Sequence, residues 1–177
     1  MVLPDRRLID IATKHWQHND LDNINSASID LEVSSTAIVY DWPLWYRLMW
    51  GVTKNQRWLR RRRLVDIKNK PFLLKPGQMA LLSTKEWIVV PPKYAAFLTL
   101  KSSRGREGYD HALAGWFDPG FRGNGVLEVY APAVPTWLHS DLKIAQIIYL
   151  TMLQEPVRSY DGHYQDQKGV TESWTIS

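Results

Sequence analysis

From Phe72 to Met152 the chain is a series of short β-prone runs, each cut off by proline, glycine or a charged pair. Phe72 to Leu74 runs into a turn at Pro76-Gly77, and Met79 to Ser83 stops at Lys85-Glu86. Trp87 to Val90 ends at Pro91-Pro92, and Ala96 to Leu100, Gly125 to Tyr130 and Lys143 to Met152 follow. Proline lacks the N–H that a β-ladder needs, and Pro-Gly pairs reverse the chain, so these residues punctuate strands. Short strands so interrupted, with little helix between them, predict an all-β barrel or sandwich. Upstream, Ser28 to Tyr40 alternates and is rich in Ile, Val and Thr, which adds a longer strand. One amphipathic helix is expected at the N-terminus, with Pro4 near its first turn. Leu8, Ile11, Ala12 and His15 or Trp16 then share a face. Asn19 to Asn25 is polar and reads as a loop.

At 177 residues the chain suits a single domain, residues 1–177, with a proper core. It has no apolar run long enough to span a bilayer, and charges stand where a signal peptide needs an apolar stretch, so a cytoplasmic protein with no membrane partner is expected. The absence of cysteine excludes disulfides, thiol nucleophiles and the Cys-ligated zinc type of nucleobase deaminase. Of five histidines only His15 and His18 are close in sequence, and no H-E-x-x-H is present, so no metal held by protein ligands is expected. Net charge is +4, much of it in Arg60 to Arg63, which suits an anionic small molecule as well as a nucleic acid. Asp41 to Arg63 also packs Trp42, Trp45, Tyr46, Trp50 and Trp58 among basic residues. It reads as an insertion or long hairpin, with room for a small helix near Leu44 to Trp50. A short charge run is usually a solvated loop, so nucleic acid is not the expected partner. The polar tail after Pro156 reads as a flexible terminus or a lid.

Two segments carry chemistry. In Val126-Leu127-Glu128-Val129-Tyr130 one carboxylate interrupts an apolar strand, and alternation turns it away from Leu127 and Val129. It is either a solvent-facing strand residue or a pocket acid whose pKa desolvation raises to that of a general base. Lys101-Ser102-Ser103-Arg104-Gly105-Arg106 offers hydroxyls, backbone N–H groups and cations that can wrap a polyphosphate, without Walker-loop spacing; an exposed basic loop is the plainer alternative. Asp118-Pro119-Gly120 is a turn by composition. His111, alone, is more readily scaffold than catalyst, and Tyr160, His163, Tyr164 and Gln167 could close over a ligand if the tail is a lid.

Five blocks, in order, resemble the dCTP deaminase branch of the dCTP deaminase/dUTPase family. They are INSASIDL (24–31), LKPGQMAL (74–81), Lys101-Ser102-Ser103 through Arg106 and Gly108, HALAGWFDPGFRG (111–123) with Leu127-Glu128, and HYQDQKG (163–169) ending at Ser173. The resemblance leaves out Asp41 to about Lys70, which reads as a lineage insertion.

The resemblance implies a distorted, dUTPase-like β-barrel with an N-terminal helix, assembled as a homotrimer with active sites shared between subunits. It implies dCTP as substrate, and a Mg²⁺ carried on the triphosphate rather than caged by protein, with no zinc. Glu128 falls on the family's catalytic glutamate. Lys101, where Arg is usual, Ser102, Ser103 and Arg106 fall on its phosphate-binding segment. Asp118 falls on the residue near the deoxyribose, His111 and Ala114 beside the base pocket, and Tyr160, His163 and Gln167 on the phosphate-contacting tail. Residues 156–177 would form the lid. His163 replaces a lysine, Leu113 stands where Thr is frequent, and Asp141 replaces a common Gly. The reaction so implied is zinc-independent hydrolytic deamination of dCTP to dUTP and ammonia. The dUMP-forming bifunctional deaminase is the near alternative, because Ala114 to Phe121 approaches its pattern. The dUTPase branch places no glutamate at the position of Glu128. A non-catalytic nucleotide- or nucleic-acid-binding regulator is the alternative from another class.

Overall fold

The computed structural model describes residues 1–16, 21–40, 62–131 and 133–173. His18, the Trp-rich run with the small helix expected near Leu44 to Trp50, and Arg60-Arg61 lie outside the described residues.

Helix α1 spans Asp5–His15 and follows Pro4 in extended conformation, so the missing proline N–H costs no helix bond. Leu8, Ile11 and Ala12 are buried, the three-and-four spacing of an amphipathic helix. The residue just past it, Trp16, donates its indole N–H to the Tyr149 hydroxyl at 3.3 Å, and that hydroxyl donates to the Val89 carbonyl at 2.7 Å. Tyr149 is fully buried, so this chain of bonds ties the helix to the centre of the core.

The strands are β1 (Ile29–Tyr40), β2 (Arg62–Asp66), β3 (Phe72–Leu74), β4 (Met79–Val89), β5 (Tyr94–Leu100), β6 (Asp110–His111), β7 (Trp116–Phe117), β8 (Arg122–Tyr130), β9 (Thr136–Leu138) and β10 (Lys143–Thr151), with a short helix α2 (Ser102–Arg106). The main sheet runs β6-β8-β4-β1-β10-β5-β7, with β2 added to β1 and β3-β9 as a separate pair. These strand pairs are antiparallel. The result is a curled, mostly β fold with one substantial helix among the described residues, as the strand punctuation predicts. Strand β1 organises it: Ile29 to Glu32 pair with β10, a register shift follows, and Ala37 to Tyr40 pair with both β2 and β4. Among the described residues no helix is long and apolar enough to cross a membrane.

Two local features differ from the sequence reading. The expected break at Lys85-Glu86 is a register shift within one strand, because side chains replace the interrupted ladder. The Thr84 hydroxyl donates to the Glu86 carbonyl and accepts the Gly125 N–H, while the Asn124 amide donates to the carbonyls of Thr84 and Glu86. Lys101 to Arg106 is a turn of helix rather than a loop, started by Lys101 in extended conformation. Arg62 to Asp66, in the segment read as an insertion or long hairpin, is a strand antiparallel to β1. Asp141 occupies the left-handed region at φ 61°, where a glycine would sit without strain. An ion pair with Lys85 at 2.8 Å and a hydrogen bond from the Ser140 hydroxyl at 3.1 Å hold its side chain there.

Candidate active site

Strand β8 alternates buried and half-buried positions along its length. Leu127 and Val129 are fully buried in the main core, which turns Glu128 to the other face. That face is not a solvent face. Ile38 and Tyr40 of β1 and Leu81 of β4 form a second buried apolar cluster, against which Met79, Val126 and Val170 pack. Leu81 is the cross-strand partner of Glu128 itself. The carboxyl therefore stands on an apolar platform at 31% side-chain exposure.

Burial pushes the Glu128 carboxyl above its ordinary 4.5. One of its oxygens, Oε2, is buried without a hydrogen-bond partner. Behind it lies His111 of β6, buried, with both ring nitrogens unpartnered. His111 Nε2 is 3.8 Å from Glu128 Oε2, too far for a hydrogen bond. Burial pushes the imidazole below its ordinary 6.5, against a weaker upward pull from Asp110. An ion pair would drive the two shifts the other way, His up and Glu down. Desolvation is the larger influence on both groups, holding the imidazole pKa down and the carboxyl pKa up.

Glu128 opens into a pocket of about 480 Å³. Ala114, Asp118, Tyr160, Tyr164 and Gln167 also line it, so six of the sequence-selected residues come together in one cavity. Asp118-Pro119-Gly120 forms the expected turn, closed by the Phe121 N–H on the Asp118 carbonyl at 3.1 Å. Gly120 has φ 94°, the conformation a Pro-Gly turn requires at its second central residue. The Trp116 indole donates to Asp118 at 2.9 Å and fixes that carboxylate on the wall.

The stretch feeding Ala114 into the pocket is tightly constrained. Ala112 donates to the Glu128 carbonyl at 3.1 Å, Leu113 is left-handed at φ 60°, and Leu98 donates to the Gly115 carbonyl at 2.7 Å. A left-handed non-glycine residue stores strain and is common where a site must be shaped. A Cβ on Gly115 would stand 2.1 Å from the Leu98 carbonyl oxygen. Gly115→Ala is therefore expected to push β7 off β5 and lower stability by about 2 kcal/mol. Denaturant unfolding checks this; an unchanged midpoint would show that the backbone yields freely there.

The C-terminal segment supplies the remaining wall and is docked rather than loose over 160–169. Tyr160 donates to the Pro119 carbonyl, Asn124 accepts the Gly169 N–H on its side chain, and Asn124 and Gln167 bond backbone to backbone. The Gln167 amide donates to the Asn124 carbonyl at 2.7 Å and accepts from Thr171 at 2.6 Å, so both ends of this expected phosphate ligand are engaged.

The other sequence-selected residues lie elsewhere. Ser102, Ser103 and Arg106 are exposed on α2, and His163 is exposed on the tail; none of them lines the pocket. Lys101 is ion-paired with buried Asp30, whose second oxygen accepts from Asn25 at 2.9 Å. The INSASIDL block thus clamps the start of α2. Residues the sequence did not single out for the pocket include Tyr40, Thr171 and Glu172. Tyr40 closes an alternating strand, a signal that could have placed it. Glu172 carries no local signal at all, since its position follows from the docking of the tail.

A family model described as dCTP deaminase-like matches residues 2–152. Among curated relatives, the chain is 31% identical to a protein of Persephonella marina named "dCTP deaminase, dUMP-forming", covering 98% of this chain and 96% of that one. A protein of the same name from Aquifex aeolicus is 32% identical, covering 98% and 94%. Among solved structures, a 2'-deoxycytidine 5'-triphosphate deaminase from Agrobacterium tumefaciens superposes with a TM-score of 0.66 at 20% identity. The match covers 85% of this chain and about half, 48%, of that one, and it speaks for the fold.

Proposed function

The chain belongs to the dCTP deaminase-like family, and on that premise we propose that it hydrolyses dCTP to dUMP, ammonia and pyrophosphate. The observation that carries the reading is the Glu128 carboxyl, desolvated on an apolar platform and unpartnered at one oxygen, inside a pocket of a volume suited to a small molecule. In this mechanism Glu128 takes a proton from water, and the hydroxide adds to C4 of the cytosine ring. Glu128 returns the proton toward N3 or the leaving amine, the C4–N bond breaks and ammonia departs. A second water attacks the α-phosphorus, and the bond to the β-phosphate oxygen breaks to release pyrophosphate.

Backbone groups of Ala112 to Ala114 are proposed to hold the attacking water and the exocyclic amine, and Asp118 to hold the deoxyribose. The expectation of dUTP as end product gives way to dUMP, because relatives covered nearly end to end carry the dUMP-forming name. Mg²⁺ is proposed to arrive on the phosphates, where it offsets their charge.

A homotrimer with shared sites fits the division of charge. Among the described residues, the pocket wall holds the acids Asp118, Glu128 and Glu172 and no Lys or Arg. Lys101, Ser102, Ser103 and Arg106 do not line it. We propose that this segment of a second copy brings its cation and hydroxyls to the phosphates. The Lys101–Asp30 pair holds that segment in shape.

Incubation with dCTP and Mg²⁺, followed by product separation, tests the reading. Equal yields of dUMP, pyrophosphate and ammonia are expected. Accumulating dUTP would leave only the deaminase half, and an absence of any product would make the protein a non-catalytic binder.

A further inference from the structure

We propose that Arg62 is an additional phosphate ligand of the bound nucleotide, held in reserve by Glu172. This inference rests on the deaminase reading of the same pocket and adds a residue that lies outside its five recognisable blocks. Arg62 is the first residue of β2 and pairs in register with Tyr40, whose side chain lines the pocket. Its guanidinium is ion-paired with Glu172, which also lines the pocket. The Glu172 side chain is sheltered at 15% exposed, and that of Arg62 is 35% exposed. Burial raises the pKa of the Tyr40 hydroxyl, Glu172 adds to the rise and Arg62 opposes it, so both charges act at the pocket wall.

The other described ion pairs of permanent cations differ. Arg7, Lys101, Arg104 and Arg122 pair with Asp10, Asp30, Glu107 and Asp166, and Lys85 pairs with Glu32 and Asp141; none of these acids lines the pocket. Arg62 is thus a base whose acidic partner itself lines the cavity, so that partner can be exchanged for a ligand there.

The chemistry of the exchange follows from charge. A triphosphate entering a wall of three carboxylates meets repulsion, and the nearest relief is to move one carboxylate out. Glu172 is the carboxylate proposed to move, because it lies on the C-terminal segment outside the strands, whereas Asp118 sits in a turn bonded to Trp116 and Glu128 sits within a strand. It follows Gly169, a left-handed residue with open space on its Cβ side. When Glu172 withdraws, the guanidinium keeps an anionic partner by taking phosphate oxygens, for which its planar fork is suited. The basic run of which Arg62 is part then has a use at the site.

Calorimetric binding of dCTP, dCMP and deoxycytidine to the full chain and to its Arg62→Ala and Glu172→Gln variants tests this. Arg62→Ala is expected to weaken dCTP about tenfold or more, the scale of a lost charged hydrogen bond, and to leave deoxycytidine unchanged. Glu172→Gln is expected to tighten dCTP several-fold and leave deoxycytidine unchanged. Equal loss across all three ligands in Arg62→Ala would mean a structural role and overturn the assignment alone, as would unaltered dCTP binding. If the unaltered protein binds none of the three, the assignment and the deaminase reading fall together.

Discussion

Glu128→Gln is expected to keep cytosine nucleotide binding and to lose about 10²-fold or more in turnover, the scale of a lost general base. The amide preserves shape and hydrogen-bonding capacity but cannot take a proton from water. The fold should not suffer. The carboxyl already pays for partial burial through its raised pKa, and a neutral isostere removes that cost. The unaltered protein should show kcat/KM falling on the acid side through an apparent pKa above 4.5, because protonated Glu128 is no base. His111, held neutral by its own burial, should not add a rising limb near its ordinary value. Ammonia release at a near-normal rate from the Gln variant would refute the assignment. So would an acid limb that survives in it unchanged.

Stability should respond to pH through a different acid. Glu86 is buried at 6% exposure, and its carboxyl is pushed up to about 7 by that burial. Both of its oxygens accept the Glu32 N–H at 3.1 Å, which favours the ion, but desolvation outweighs this, and the Glu32 carboxylate nearby adds to the rise while Lys85 opposes it. A folded pKa raised above the unfolded 4.5 means that the native state binds the extra proton between those values. The stabilisation is then complete below pH 4.5 and is lost as pH climbs through 7. The loss amounts to about 3 kcal/mol. Glu86→Gln keeps an acceptor for Glu32 and removes the proton. Denaturant unfolding at pH 5 and pH 8 should show the unaltered protein losing about 3 kcal/mol more than the variant between the two. Parallel pH slopes would exclude Glu86 as the source.

Much of this architecture is written locally. The three-and-four spacing of Leu8, Ile11 and Ala12 gives α1, and alternation gives β1 and β8, because in each case burial of one face is enough to set the element. The short strands β6, β7 and β9 are not legible, since two or three residues become strand only through partners distant in the chain. Helix α2 is equally hidden: its Ser-Ser-Arg-Gly-Arg sequence has weak helical propensity, and the Lys101–Asp30 pair, not the local sequence, fixes its start. At the site, Glu128 and the Asp118 turn stand out as chemistry in an apolar setting. Periodicity alone left open which way Glu128 faced a solvent or a pocket; the answer lay in Ile38, Tyr40 and Leu81, which make the outer face of three strands apolar. Tyr160 and Gln167 reach the cavity, whereas Ser102, Ser103, Arg106 and His163 do not. A single chain cannot reveal a grouping that two copies are proposed to make.

The strand that bridges both halves of the sheet has a consequence for how the protein comes to exist. Its opening residues find their neighbours only across a large stretch of sequence; Ser28, just before it, bonds to Gln146, 118 positions away. Closure must wait for that loop to be searched, which makes for slow acquisition of the native topology. Meanwhile Ala37 to Tyr40 present an apolar ribbon with unsatisfied edges, the kind of surface on which nascent molecules stick to one another. Yield on refolding should accordingly be governed by dilution, and the same strand that unifies the finished barrel is its point of greatest hazard on the way there.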